Sequence, residues 1–316
     1  IIFTSGGTES NNIAIFGAIR KKRRQGNKII TTSIEHPSVL NCFKSLENEF
    51  QVVYISPDKN VSIPVSAFQR EIDENTILIS SMLVNNETGE ILPCKFIKDI
   101  IKAKSSPALF HIDAVQGYLK MPFIPSSYGA DLVSISSHKI HGMKGTGALY
   151  IKNKNLISPI VFGGGQEQNL RSGTQNMPGI ASFAAAAKKG FDNIKENYDY
   201  IKDLNKYLLE RLKEIPDIII NSPSERANHI LNISVLNLQS EVMLHHLESM
   251  NVFVSAGSAC SSKSKGKSHV LTSMGLDSER INSALRISFC SDNDREDIDM
   301  LINGLKSCRK NLASRH

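Results

Sequence analysis

Tryptophan is absent from this chain, and aromatic residues make up only 6% of its 316 positions. No stretch interleaves aromatic with basic residues, so the stacking surface that RNA-binding modules use is missing, and direct nucleic-acid binding is not expected as the main activity. No apolar run approaches the roughly 20 residues that a membrane-spanning helix needs, and no signal peptide is visible, so no membrane partner is expected. Cysteine is scarce and scattered: Cys42, Cys94, Cys260, Cys290 and Cys308 form no Cys-x-x-Cys pair. That spacing argues against a zinc site, so no metal is expected, and it fits free thiols in a reducing compartment, the cytoplasm. Residue 1 is Ile, and Ile1-Ile2-Phe3-Thr4 already reads as a strand, so the chain is expected to begin inside a fold, with an N-terminal piece missing.

What is present is ordinary for a globular protein: 41% hydrophobic and 22% charged residues, enough to bury one large core or two smaller ones. Lys and Arg number 37 against 31 Asp and Glu, a formal charge of +6. Much of the excess lies in Arg20-Lys21-Lys22-Arg23-Arg24, where a helix is expected to end before Gly26, and in Lys263, Lys265 and Lys267. Cations in a last helical turn complement the helix dipole.

Up to Ile151 short apolar strands alternate with helical segments. Strands are expected at Ile29-Thr32, Val52-Ile55, Ile77-Val84, Ala108-Ile112, Leu132-Ser136 and Gly147-Ile151. Helices are expected near Asn11-Arg24, Ser38-Phe50, Ser66-Asp73 and Lys95-Lys104. This alternation predicts an α/β layer with a mostly parallel sheet, which binds ligands beyond the carboxyl ends of its strands. After Pro178 the texture changes. Ile194, Tyr198, Ile201, Leu204, Leu208 and Leu212 recur at helical spacing. Strands at Ile218-Ile220, Ile230-Val235, Val252-Ser255 and Leu285-Phe289 and a final helix follow, which reads as a smaller α+β domain. The expected division is 1–192 and 193–316.

Four segments carry chemistry. Ser136-Ser-His-Lys139 leaves one apolar strand and precedes another, with glycines following. A lysine at a strand exit can form an imine with pyridoxal phosphate, and the Ser and His beside it can hold the phosphate. Taken alone, the segment also describes a surface lysine in a glycine-rich turn. Ser5-Gly-Gly-Thr-Glu-Ser10 joins a strand to a helix, a geometry that presents free N–H groups to a phosphate or simply makes a tight turn capped by Thr8 or Ser10. Asp113 closes a strand, where its carboxylate can pair with a pyridinium nitrogen or cap a helix, and Gln116 can hydrogen-bond the ring's phenolate. Pro37 stiffens the turn that holds His36 at another strand end.

In chain order the sequence carries Ser5-Gly-Gly-Thr-Glu-Ser-Asn-Asn12, Glu35-His-Pro-Ser-Val39, Val84-Asn-Asn-Glu-Thr-Gly89, Asp113-Ala-Val-Gln116, Ser136-Ser-His-Lys-Ile-His-Gly142, Gly163-Gly-Gly-Gln-Glu167, Arg171-Ser-Gly-Thr174, Ser255-Ala-Gly-Ser-Ala-Cys260 and Ala284-Leu-Arg-Ile-Ser288. Together these resemble a cysteine desulfurase of the NifS/IscS type, a fold-type I pyridoxal-phosphate enzyme related to the class V aminotransferases. The resemblance spans nearly the whole chain. It differs in one respect: family members begin with a further segment, containing an Asp-Asn-Ala-Ala-Thr-Thr-like run, ahead of the position matching Ile1.

The resemblance implies pyridoxal 5'-phosphate held covalently by Lys139. Gly7, Thr8, Ser136 and His138 would hold its phosphate, Asp113 would face the ring nitrogen, and Gln116 the phenolate oxygen. His36 would stack on the ring, Asn86 would lie beside cofactor and substrate, and Arg286 would bind the substrate carboxylate. Thr174 would reach the phosphate of the other subunit, which implies a homodimer. Cys260 would take sulfur from L-cysteine as a persulfide, leaving L-alanine, and pass it to an iron–sulfur scaffold or a tRNA-thiolation enzyme. The nucleophile must be a thiolate. The nearby lysines favour that form, and a loop this poor in apolar anchors is expected to move. The alternatives are a selenocysteine lyase, another class V aminotransferase, or a non-catalytic sulfur carrier that binds scaffold proteins. An aminotransferase needs no loop thiol, and a mere binder has no use for Lys139, Asp113, His36 and Cys260 together.

Overall fold

The computed structural model describes residues 1–58, 61–256 and 267–312, with side-chain surroundings to 311. Cys260, Lys263 and Lys265 lie outside the described residues. The chain forms two compact units. The first comprises Ile1–Asp58, Ile63–Val84 and Leu92–Ile194; the second includes Asn85–Ile91 and the residues from Lys195 onward.

The first unit begins with β1 (Ile2–Thr4), α1 (Gly7–Lys22), β2 (Lys28–Thr32), α2 (Pro37–Lys44), β3 (Gln51–Ile55), α3 (Val65–Glu71) and β4 (Thr76–Met82). It continues with α4 (Cys94–Ala103), β5 (Leu109–Asp113), β6 (Leu132–Ser136), β7 (Gly147–Ile151) and α5 (Met177–Asp192). Its seven strands lie in the order β1-β7-β6-β5-β4-β2-β3. Only β7 runs against the rest, pairing antiparallel with both β1 and β6. The carboxyl ends of β1, β2, β5 and β6 therefore share one edge. β2, β4 and β5 are buried at every residue, the mark of a sheet covered on both faces. Ile13, Ala14, Ile15 and Ala18 of α1 pack on this sheet with Val39 and Phe43 of α2. α1 ends in Arg20, Lys21 and Lys22, as expected of cations at a helix C-terminus.

The second unit holds α6 (Ile194–Leu212), which starts at the end of the first, followed by β8 (Ile218–Ile220), β9 (Ile230–Val235), α7 (Ser240–Glu248) and α8 (His269–Ser273). α9 (Ser278–Asn282), β10 (Ala284–Ser288) and α10 (Arg295–Leu312) complete it. The sheet order is β10-β9-β8, wholly antiparallel. Its core joins Leu204, Leu208 and Leu212 of α6 to Leu231 and Ile233 of β9 and to Ile302 and Leu305 of α10.

The expected strand Val252-Ser255 is corrected: only Ser255 pairs, as an isolated bridge to Arg286. Val252 donates its N–H back to Leu247 at the end of α7, and Phe253 is 77% exposed, so neither joins the ladder. Among the described residues no helix is long and apolar enough to cross a membrane.

Candidate active site

The shared strand edge of the first unit gathers most of the expected site residues. Gly6 and Gly7 follow β1 and open α1, whose N-terminus is capped by no side chain, so neither Thr8 nor Ser10 is the cap. Ser10 instead shares a 2.8 Å hydrogen bond with Thr4, and Thr8 is exposed. A Cβ at position 7 would lie 2.9 Å from Val115 Cγ2, and Ser136 Cβ is also close at 3.7 Å. The α1 turn, the segment after β5 and the end of β6 thus approach one another around a glycine.

Asp113 ends β5 and is buried. Its Oδ1 accepts the Val115 N–H at 3.0 Å, and its Oδ2 accepts the Asn11 side-chain amide at 2.7 Å. Burial pushes the carboxyl above the ordinary carboxylate range; the Val115 and Asn11 donors, and the charge of a protonated His36, oppose that rise. A carboxyl in this balance gains from a cationic partner. His36 is the N-cap of α2, and its Nδ1 accepts the Ser38 N–H at 3.1 Å.

Ser136 closes β6 and shares a 2.9 Å hydrogen bond with His138 Nδ1. Lys139 sits half-buried in a single 3-10 turn, Ser137–Ile140, which ends at His141 in the left-handed conformation with φ 68°. Partial burial holds the His138 ring below its ordinary pKa, and the charges of Lys139 and Lys144 add to this. Gln116 is half-buried two residues past the Ala114 N–H, which bonds to Ser134 of β6. Thr174 is exposed. Its loop is tied down by Arg171, whose Nε donates to Glu9 Oε1 at 2.8 Å, the second guanidinium contact being 3.2 Å.

In the second unit Asn86 and Arg286 meet. Arg286 lies on β10 and donates to the Asn86 backbone oxygen at 3.1 Å and to Ser255 Oγ at 3.2 Å. Asn86 is buried, and its Oδ1 has no hydrogen-bond partner among the described residues. The turn that presents it is set by Asn85, whose Oδ1 accepts the N–H groups of Glu87 and Thr88. Gly89 closes the turn at φ 76°, where a Cβ would meet the Ile230 carbonyl at 2.8 Å.

The residues present fit pyridoxal phosphate. An uncapped helix N-terminus beside Ser136 and His138 suits a phosphate, and a buried, cation-seeking Asp113 suits a pyridinium N–H. Two residues that sequence reasoning left without a role belong to the same edge: Asn11, inside the first motif, and Glu35, next to His36. Glu35 is fully buried, and its Oε1 accepts the Met82 N–H at 2.9 Å and the Thr32 hydroxyl at 2.7 Å. Burial, partly opposed by those donors, pushes the carboxyl up to about 8.

This has a consequence for stability. An unfolded glutamate titrates near ~4.3. Between that value and about 8 the folded state binds a proton that the unfolded state has lost. Stability from this site is therefore full at the acid end, falls as pH rises through the window, and levels off above it. Glu35→Gln should remove the dependence. Its urea midpoint should gain on that of the unmodified protein between about pH 5 and about pH 8.5. A constant gap would show that Glu35 is already ionised at neutral pH.

Residues 1–301 match the family described as aminotransferase class-V. The cysteine desulfurase IscS of Clostridium botulinum is 38% identical over 310 residues, covering 96% of this chain and 78% of that relative. Among solved structures, a NifS-like protein superposes with a TM-score of 0.90 at 33% identity, covering 98% of this chain and 82% of the other. SspA in complex with cysteine gives a TM-score of 0.79 at 31% identity, covering 92% and 81%.

Proposed function

The chain belongs to the cysteine desulfurases of the class-V aminotransferase family, a family of pyridoxal-phosphate enzymes, and from that premise we propose that it takes the sulfur of L-cysteine onto Cys260 and releases L-alanine. The observation that carries this reading is the single strand edge at which a buried Asp113, an uncapped helix N-terminus, Ser136, His138 and Lys139 follow parallel strands.

Pyridoxal phosphate, when bound, supplies an electron sink that weakens the bonds of the substrate next to its amino group. Lys139 would hold it through its amine and then move the proton at the substrate Cα. Asp113 would keep the ring nitrogen protonated. Gln116 would bond the phenolate oxygen, and His36 would cover the ring face. The first-turn N–H groups of α1, Gly7, Thr8, Ser136 and His138 would hold the phosphate. Asn86, whose buried Oδ1 has no partner among the described residues, would lie beside cofactor and substrate, and Arg286 would orient the substrate carboxylate.

The Cys260 thiolate then attacks the substrate sulfur. An S–S bond forms on the enzyme, the C–S bond breaks, and its electron pair stays with carbon. With one proton taken up, the carbon skeleton leaves as alanine. The sulfur passes on to an acceptor protein, an iron–sulfur scaffold or a tRNA-thiolation enzyme. Part of the same proposal is a cytoplasmic homodimer in which Thr174 reaches the partner's phosphate; the exposure of Thr174 and the free state of the four described cysteines support it.

The test is incubation with L-cysteine, followed by amino-acid analysis and mass spectrometry of tryptic peptides. Alanine should appear, with one added sulfur on the Cys260 peptide. Pyruvate and ammonia with no sulfur on Cys260 would identify a lyase instead. Arg286→Lys should retain cofactor but raise KM for cysteine by about tenfold or more, because a point-charge ammonium replaces a bidentate fork. Unchanged kinetics would reject the carboxylate role and leave Arg286 as a brace between Asn86 and Ser255.

A further inference from the structure

Asn11 lies on the buried face of α1, one turn in from the N-terminus. A buried primary amide is costly unless its polar atoms are bonded. Its Nδ2 contacts two groups from different elements: Asp113 Oδ2 at 2.7 Å and Ser38 Oγ at 2.9 Å. Its Oδ1 has no hydrogen-bond partner among the described residues. The chemistry settles which end of the amide points where. With nitrogen toward the pair, both amide hydrogens are used and one acceptor is idle. Reversed, two buried donors would go unmet and a carbonyl would face a carboxylate, which costs more.

That orientation fixes the next link. Ser38 Oγ receives a hydrogen from Asn11, so its own proton is free to go to His36 Nδ1, 2.8 Å away. The Ser38 backbone N–H points at the same Nδ1 at 3.1 Å. Two donors converging on Nδ1 require a lone pair there, so the neutral ring carries its proton on Nε2.

We infer that Asn11 is a positioning residue which, by donating one amide hydrogen to Asp113 and the other to Ser38, favours the charged form of Asp113 and turns the Ser38 hydroxyl onto His36 Nδ1, strengthening the tautomer that the Ser38 backbone N–H already favours. The network's four hydrogen bonds, two of them made by Asn11, run from the end of β5 through α1 to the start of α2. A leucine could fill the same volume, but it would leave the carboxylate with one donor and free the Ser38 hydroxyl to turn. The consequence for the cofactor rests on the reading proposed above; the state of His36 does not.

The experiment uses the full chain with uniformly 15N-labelled histidine, with the His36 ring signals among the nine histidines assigned by their loss in His36→Gln. In the unmodified protein the two His36 nitrogens should differ widely in shift, the pattern of a ring protonated on Nε2 alone. The backbone N–H at position 38 still donates to Nδ1 in both variants, so in Asn11→Ala and in Ser38→Ala the two shifts should move part of the way toward each other as the second tautomer gains population. Dilution into a trap for free pyridoxal phosphate supplies the second readout. Asn11→Ala should release cofactor about tenfold faster, the scale of one charge-assisted hydrogen bond, while Ser38→Ala, which keeps the bond to Asp113, should release it at nearly the original rate.

Unchanged His36 shifts in a folded Asn11→Ala protein would overturn the inference, as would equal release rates for the two variants. If Asn11→Ala does not fold, Ser38→Ala decides it: His36 shifts identical to those of the unmodified protein would overturn it. Absence of any bound cofactor in the unmodified protein would sink the enzymatic reading while leaving the histidine result to judge Asn11.

Discussion

Lys139→Ala should abolish covalent cofactor binding and lower alanine formation by at least about 10²–10⁴-fold, the range that a positioned proton-transfer group contributes. The size of the effect follows from where the lysine sits. β6 delivers Ser136 to the sheet edge, and one 3-10 turn then places Lys139 three residues on, half-buried, with the chain turned back at His141. The nearest rival, Lys144, is exposed beyond Gly142 in the loop leading to β7. On the proposed reading, removing the Lys139 amine takes away both the covalent anchor and the base for the substrate Cα proton. It leaves the buried frame of Asp113 and Ser136 in place, so the fold should survive, as a circular dichroism spectrum would show. The visible absorption of the unmodified protein should vanish in the variant. Borohydride reduction of the unmodified protein, followed by peptide mapping, should put the pyridoxyl group on the Lys139 peptide; a label on Lys144 would reassign the cofactor.

Much of this arrangement is legible in the sequence because it depends on neighbours along the chain. β6 and β7 are bounded where their apolar runs are bounded, and α6 begins and ends with the periodic residues Ile194 to Leu212. The proposed chemistry sits at strand ends, so reading the strands also finds Asp113, Ser136 and Lys139. What escapes is long-range or locally ambiguous. Asn11 reads as one more polar residue in a helix start, because its partner Asp113 is 102 positions away. The Glu9–Arg171 pair spans 162, though both lie in motifs already singled out, and their opposite charges were the available signal. Val252-Ser255 has the apolar, β-branched look of a strand, yet only Ser255 finds a partner. α5 carries start signals, Asn176 capping and Pro178 in its first turn, but its alanine-rich body lacks the strong stripe that marked α6. The segment Asn85–Ile91 begins three residues after the end of β4 but clusters with the second unit. Contiguous reading cannot show this, because the turn is held by Gly89 against Ala227 and Ile230, far along the chain.

Cys260→Ser should leave cofactor binding intact and stop alanine formation, with single-turnover yield falling by the order of 10³-fold, the scale on which losing a catalytic nucleophile acts. The other cysteines define why this one is expected to carry the reaction. Burial pushes the thiols of Cys42 and Cys308 up to about 11 and that of Cys94 up to about 12, so near neutral pH almost none of each is thiolate. Cys42 also donates to the Ser38 carbonyl, and Cys94 to that of Met82. Cys290 follows β10 and contacts Asn293 through both its N–H and its sulfur. A nucleophile toward sulfur needs an accessible thiolate, and the resemblance puts that role on Cys260, whose neighbours in sequence are small or polar and include Lys263 and Lys265. Serine there keeps the size of the side chain but is a far weaker nucleophile near neutral pH, so the substrate should bind, change the cofactor's absorption, and stall. Alanine substitutions at Cys42, Cys94, Cys290 and Cys308 should cost stability where the residue is buried but should not block sulfur transfer. If the Cys260→Ser protein made alanine at the full rate, sulfur would be leaving by another route, and the enzyme would be a lyase that releases sulfide directly.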